Sequence, residues 1–166
     1  MSTEKANRRA TLLAERILEG ASGLAAFAEG ITAEEWARPV GKSDRRTIGV
    51  IVDHVANVYP IEIDLARAIA SGKDVMDVTW EVVAGVNGKH AADRSSVTKE
   101  AAIERLRKAS REAADAVRAF TDEQLDRAAR FSLSYGAPMT AQFVIEDHPV
   151  RHSWHHLAKI REAVGK

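Results

Sequence analysis

Apolar residues recur at three- and four-residue spacing over most of this sequence, and strict alternation is sustained nowhere. A chain patterned in this way folds into helices that each bury one stripe, and only four prolines interrupt the pattern. The first helix is expected over about residues 4 to 29, with Leu12, Leu13, Ile17, Leu24 and Phe27 facing inward. "TAEE" from Thr32 to Glu35 has the spacing of a capping box and predicts a short helical turn.

A second long helix should start near Ser43 or Asp44 and run to about Ala70, where "SGKD" breaks it. Pro60 lies inside it and predicts a kink or local break around Val58 to Pro60. From Val75 to Ser96 the pattern is less regular, with a helix expected through "TWEVVAGVNGKHAA". "VTKEAAIERLRKASREAADAVRAF" carries Ile103, Leu106, Ala113, Val117 and Phe120 on one stripe and charges opposite, so it reads as the third long helix. "TDEQ" at 121–124 opens a minor helix, "SLSYGAPM" reads as a loop, and the last long helix spans about Thr140 to Val164. The expected fold is all-α: a four-helix bundle in one domain over residues 1–166, with a long crossover between the second and third helices.

Composition removes several function classes. Lys plus Arg and Asp plus Glu are 24 each, with no long like-charge block, so nucleic acid is not an expected partner. The longest apolar run near the start, "GLAAFA", is far too short to span a bilayer, and a cytoplasmic protein with no membrane partner is expected. Cysteine is absent, which excludes thiolate ligands, disulfides and an internal thiol nucleophile.

Four of the six histidines fall between residues 148 and 156. His152 and His156 are one turn apart on one helix face, about 6 Å along the axis, and both can reach one ion. His148 lies a further turn away, and Pro149 pushes it out of regular helical geometry, which makes it a candidate for supporting a ligand or capping the helix. His155 points about 100° from His156, toward a neighbouring helix, solvent or a partner subunit. On the second helix, His54 shares a stripe with Val50, Ile51, Val58, Ile61 and Leu65, whereas Asp53, Asn57, Asp64 and Arg67 take the other face. An imidazole aimed at a core needs a partner, because an unpaired buried polar group costs about 1–3 kcal/mol. A metal ion or a core carbonyl would each serve, and spacing leaves both open. Glu146 and Asp147 are candidates to orient a ligand imidazole, or to pair with Arg151 at the surface. Trp80 is a candidate for a pocket mouth, and His90, near a turn-like Asn-Gly, is expected in solvent.

The second helix with its histidine in "IGVIVDHVANVYPIEIDLA", the middle "TWEVVAGVNGKHAADR" and the closing "HSWHHLAKIRE" resemble the DinB/YfiT-like metalloenzyme superfamily over nearly the whole chain. The resemblance implies a four-helix bundle with a long crossover and a three-histidine metal centre at His54, His152 and His156. Where many relatives carry Gly-Gln after the last ligand, this chain has Ala158 and Lys159. Three neutral imidazoles would leave zinc or nickel with an open position for a water or a thiol. Superfamily members include thiol S-transferases and a mycothiol-dependent maleylpyruvate isomerase. The implied activity is therefore a thiol-dependent transferase or isomerase, or a hydrolase, acting on a small molecule. With no cysteine here, the sulfur would come from a low-molecular-weight thiol cosubstrate. Two other readings stay open: a non-catalytic domain that binds metal or a small ligand, as a stress-associated homodimer, and a helical interaction module without metal.

Overall fold

Threonine opens six helices in succession. The computed structural model describes residues 8–166, in which α1 (Arg8–Gly30) is followed by α2 (Ala33–Trp36), α3 (Ile48–Ala70), α4 (Trp80–Asp93) and α5 (Lys99–Arg118). After α6 (Asp122–Asp126) come the strands β1 (Ala128–Phe131) and β2 (Ala137–Thr140), then α7 (Ala141–Ile145) and α8 (Arg151–Val164). Thr32, Thr47, Thr79, Thr98, Thr121 and Thr140 precede α2 to α7 in extended geometry. Each side chain accepts a first-turn backbone N–H that has no partner within the helix. Both expected capping boxes form, at Thr32 with Glu35 and at Thr121 with Gln124.

Four long rods make the bundle: α1, α3, α5, and α7 continued into α8. The pairs α1–α5, α5–α3, α3–α7 and α8–α1 are in contact, so the rods close around one core. Leu13, Ile17 and Leu24 of α1, Ile51 and Val55 of α3, Leu106 and Val117 of α5, and Leu157 and Ile160 of α8 belong to it. The crossover between α3 and α5 contains α4, as expected. Of the first-helix expectation, residues 4–7 lie outside the described residues. Leu12 is 48% exposed rather than inward, because Leu13 and Ile17 set the buried stripe and Leu12 sits a step of about 100° off it.

Three further expectations change. The second long helix starts at Ile48, not near Ser43 or Asp44. Asp44 instead grips Arg46, with Oδ1 2.9 Å from Nε and Oδ2 2.6 Å from Nη2, and Thr47 takes the cap. The helix then passes through Pro60 without a break, with the proline ring itself on the exposed face. "SLSYGAPM" is not simply a loop but the turn and second strand of a hairpin, in antiparallel register from Ala128↔Thr140 to Phe131↔Ala137. Strands of four residues are too short to show alternation. Tyr135 and Gly136 turn the chain at φ 59° and 79°.

Pro149 has the opposite outcome to Pro60. Glu146–Val150 forms a π turn between α7 and α8. Its wider ring accommodates a proline that cannot donate and that would collide with the preceding turn. Helices α3 and α8 are joined by a buried side-chain bond between Tyr59 Oη and Ser153 Oγ at 2.7 Å. Burial raises the Tyr59 phenol above its ordinary range, so it stays a neutral hydrogen-bonding group. Among the described residues, no helix is long and apolar enough to cross a membrane.

Candidate metal centre

His54 projects from the middle of α3, and His152 and His156 from successive turns of α8. One ring nitrogen of each lies within 4.8 Å of the others. His54 Nε2 is 3.1 Å from His152 Nε2. Two donors on a tetrahedral ion with bonds of about 2.0–2.1 Å are about 3.3 Å apart, so this pair already has ligand spacing. The third ring is close to both, with its centroid 5.3 Å from that of His54 and 4.8 Å from that of His152.

The core-carbonyl alternative for His54 is not what the fold provides. Nδ1 of His54 and Nδ1 of His156 are buried without a hydrogen-bond partner. Burial, with repulsion from His152 second, pushes His54 down to about 3 and drives His156 down as well. Both rings are therefore neutral near pH 7, the form in which imidazole ligates a cation. His152 is oriented differently: its Nδ1 is 2.6 Å from Glu62 Oε1, which leaves Nε2 turned toward His54. A carboxylate behind a ligating histidine fixes the tautomer and strengthens the donor. The donor set, its spacing and the neutrality of His54 and His156 fit a divalent ion.

Glu62 had no place among the sequence candidates, although it lies two turns beyond His54 along the Val58 side of α3, which was the available signal. It takes the role expected of Glu146 and Asp147. Glu146 instead pairs with Arg16 at 2.8 Å, and Asp147, at the cavity's edge, with Arg151 at 3.1 Å. His148 stands beside this arrangement, its Nδ1 3.9 Å from Glu62 Oε1 and its ring edge-on to Phe131. His155 is exposed and packs edge-on against His156. Replacing Glu62 by Gln is expected to weaken metal affinity about 10- to 100-fold, the usual cost of losing such a partner. Competition with a chromophoric chelator measures this, and an unchanged affinity overturns the role.

His90 requires the largest correction. It is buried rather than in solvent, and its Nε2 is 2.7 Å from Oδ2 of Asp53, which is buried on the other face of α3. Arg105 Nη1 donates to the same oxygen at 2.6 Å, and Arg94 donates through Nε and Nη2 at 3.1 Å each. Burial alone would raise the Asp53 carboxyl. The Arg94 and His90 hydrogen bonds, with the charges of Arg105 and Arg94, overcome that and hold it below the usual carboxylate range. This cluster ties α4 and α5 to α3 directly behind His54, whose ring centroid is 5.8 Å from that of His90.

A cavity of about 350 Å³ opens onto the three histidines. Trp80, 60% exposed, stands in its lining as the sequence suggested, together with Val58, Ile61 and Leu65 of α3 and Val83 and Val86 of α4.

A helical bundle in which three imidazoles, two of them buried, converge beneath an open cavity belongs to a definable class of proteins. The chain is a member of the DinB superfamily, whose family model matches residues 17–160. Among solved structures it is similar to YfiT from Bacillus subtilis, described as "a probable metal-dependent hydrolase with an unusual four-helix bundle topology". The two share 17% identity at a TM-score of 0.74, over 99% of this chain and 89% of that one. At this identity the likeness establishes the fold. Comparison with curated proteins finds no match.

Proposed function

We propose that this chain is a divalent-metal-dependent enzyme acting on a small molecule, with His54, His152 and His156 as the ligands and zinc or nickel as the ion. The observation that carries this reading is the pair of Nε2 atoms 3.1 Å apart on His54 and His152, the latter backed by the Glu62 carboxyl. An ion held by three neutral imidazoles supplies Lewis acidity and an open position, at which a water or a thiol becomes more acidic. The protein's own part is to orient His152 through Glu62, to keep His54 and His156 unprotonated by burial, and to hold the substrate in the cavity. Hydrolysis is supported by the likeness to YfiT, a probable metal-dependent hydrolase. Thiol-dependent transfer or isomerisation is the alternative chemistry, and in a chain without cysteine the sulfur comes from a cosubstrate thiol.

Metal-loaded protein assayed against esters and amides, and separately against electrophiles with a panel of low-molecular-weight thiols, divides the two. Turnover without thiol that disappears in His156→Ala supports the hydrolase. Turnover only with thiol supports the transferase. Full metal occupancy with no turnover in either panel favours a binding domain.

The metal-free chain is also expected to lose stability as pH falls from about 6.5 toward 3. His54 has its folded value lowered to about 3, so in that window the unfolded chain binds protons that the folded chain refuses. Urea midpoints measured from pH 8 to pH 4 test this, and a midpoint constant down to pH 4 contradicts it.

A further inference from the structure

The chemistry of the cavity is divided between its floor and its wall. Trp80, Val83 and Val86 of α4 face Val58, Ile61 and Leu65 of α3 across it. Trp80, Ile61 and Val86 are 60%, 42% and 39% exposed, so large apolar side chains stand open to solvent around the mouth. Such a group of exposed side chains is costly to leave wet and marks a surface that takes an apolar partner.

The charges near the floor can be counted. Arg46 lines the cavity but is gripped by Asp44, and Arg151 is paired with Asp147, so each of these pairs is neutral. A divalent ion on three neutral imidazoles brings two positive charges, and Glu62 supplies one negative charge against them. One positive charge remains at the histidine floor. Arg46 Nη1 is in addition buried with no hydrogen-bond partner, a donor left over after Asp44 has taken Nε and Nη2.

We propose that the cavity binds a small monoanion with an apolar tail: a carboxylate or thiolate head at the histidine floor beside Arg46, and a hydrocarbon or aromatic tail between the α3 stripe and Trp80, Val83 and Val86. The head assignment rests on the metal reading above, whereas the tail wall does not. A phosphate dianion or a sugar is a poor fit, since the first overcompensates the single charge and the second finds few hydrogen-bonding groups on the wall. The cavity volume suits a ligand at the small end of the range that such pockets accept.

Isothermal titration of zinc-loaded protein with straight-chain carboxylates from butanoate to octanoate, and with thiols and alcohols of equal length, tests this, with zinc content measured on the same sample. Affinity for the acids is expected to rise about three- to fourfold per added methylene. Alcohols are expected to bind at least tenfold more weakly than acids of equal length, and the acid and thiol series show which head is preferred. Val86→Asp and Trp80→Ser, both at exposed positions, should remove the dependence on chain length without changing zinc content. Affinity independent of chain length overturns the wall, as does a dependence that survives both substitutions. Equal binding of acid and alcohol overturns the head. If the protein holds no zinc, the metal reading fails, and titration of that metal-free protein still decides the wall by its slope with chain length.

Discussion

Purified without a histidine tag and equilibrated with zinc, the chain is expected to hold one ion per molecule, and His54→Ala close to none. The substitution removes one of three converging donors: Glu62 Oε1 is engaged by His152, and His90, the imidazole behind His54, is engaged by Asp53. Its effect should therefore exceed the 10- to 100-fold expected when only a supporting partner is lost. Stability follows occupancy. At free zinc about 100-fold above Kd, binding to the folded chain alone contributes about 2.7 kcal/mol, roughly 5 to 11 °C in Tm for a domain of this size. Wild type should show this shift and His54→Ala should not. Elemental analysis with thermal melts, with and without chelator, reads both. A variant retaining stoichiometric zinc, or a wild type with none, overturns the assignment. The comparison also separates ligand from core histidine, because a merely structural His54 would lower Tm equally with and without zinc.

Asp53→Ala is expected to destabilise the fold by about 3 kcal/mol. Removing one member of a buried ion pair costs about 3–5 kcal/mol, because its partners remain desolvated and unpaired. The lower end applies since Arg94 and Arg105 are each 37% exposed and can partly rehydrate. For this chain length the loss corresponds to about 6–12 °C in Tm. A double-mutant cycle with Arg105→Ala should show coupling above about 0.5 kcal/mol. Tm loss below about 2 °C, or strictly additive single changes, contradicts the clamp. Metal affinity should fall too, because Asp53 ties α4 and α5 to α3 immediately behind His54. Aromatic packing between His54 and His90 alone would not be expected to hold that backing in place.

The two prolines show how far local pattern reading extends. Both were readable as interruptions, yet Pro60 leaves α3 continuous while Pro149 widens its helix into a π turn. Their surroundings differ: the Pro60 ring is exposed, whereas Pro149 is buried and its backbone takes the wider π turn. His90 illustrates the same limit. Its neighbours Asn87, Gly88 and Lys89 read as solvated, and only the approach of Asp53 from 37 residues away makes the interior a favourable place for it.

The sequence alone determined what is repeated or bonded within a few residues. Helical periodicity set the bundle, capping-box spacing placed the starts of α2 and α6, and a four-residue interval put His152 and His156 on one face. Tertiary structure decided which distant groups meet: His54 with that pair, Glu62 behind His152, Asp53 beneath Arg94, Arg105 and His90, and α4 over the cavity. The physical reason is that helix geometry follows from local backbone bonding, whereas a buried polar side chain is stable only where another element supplies its partner.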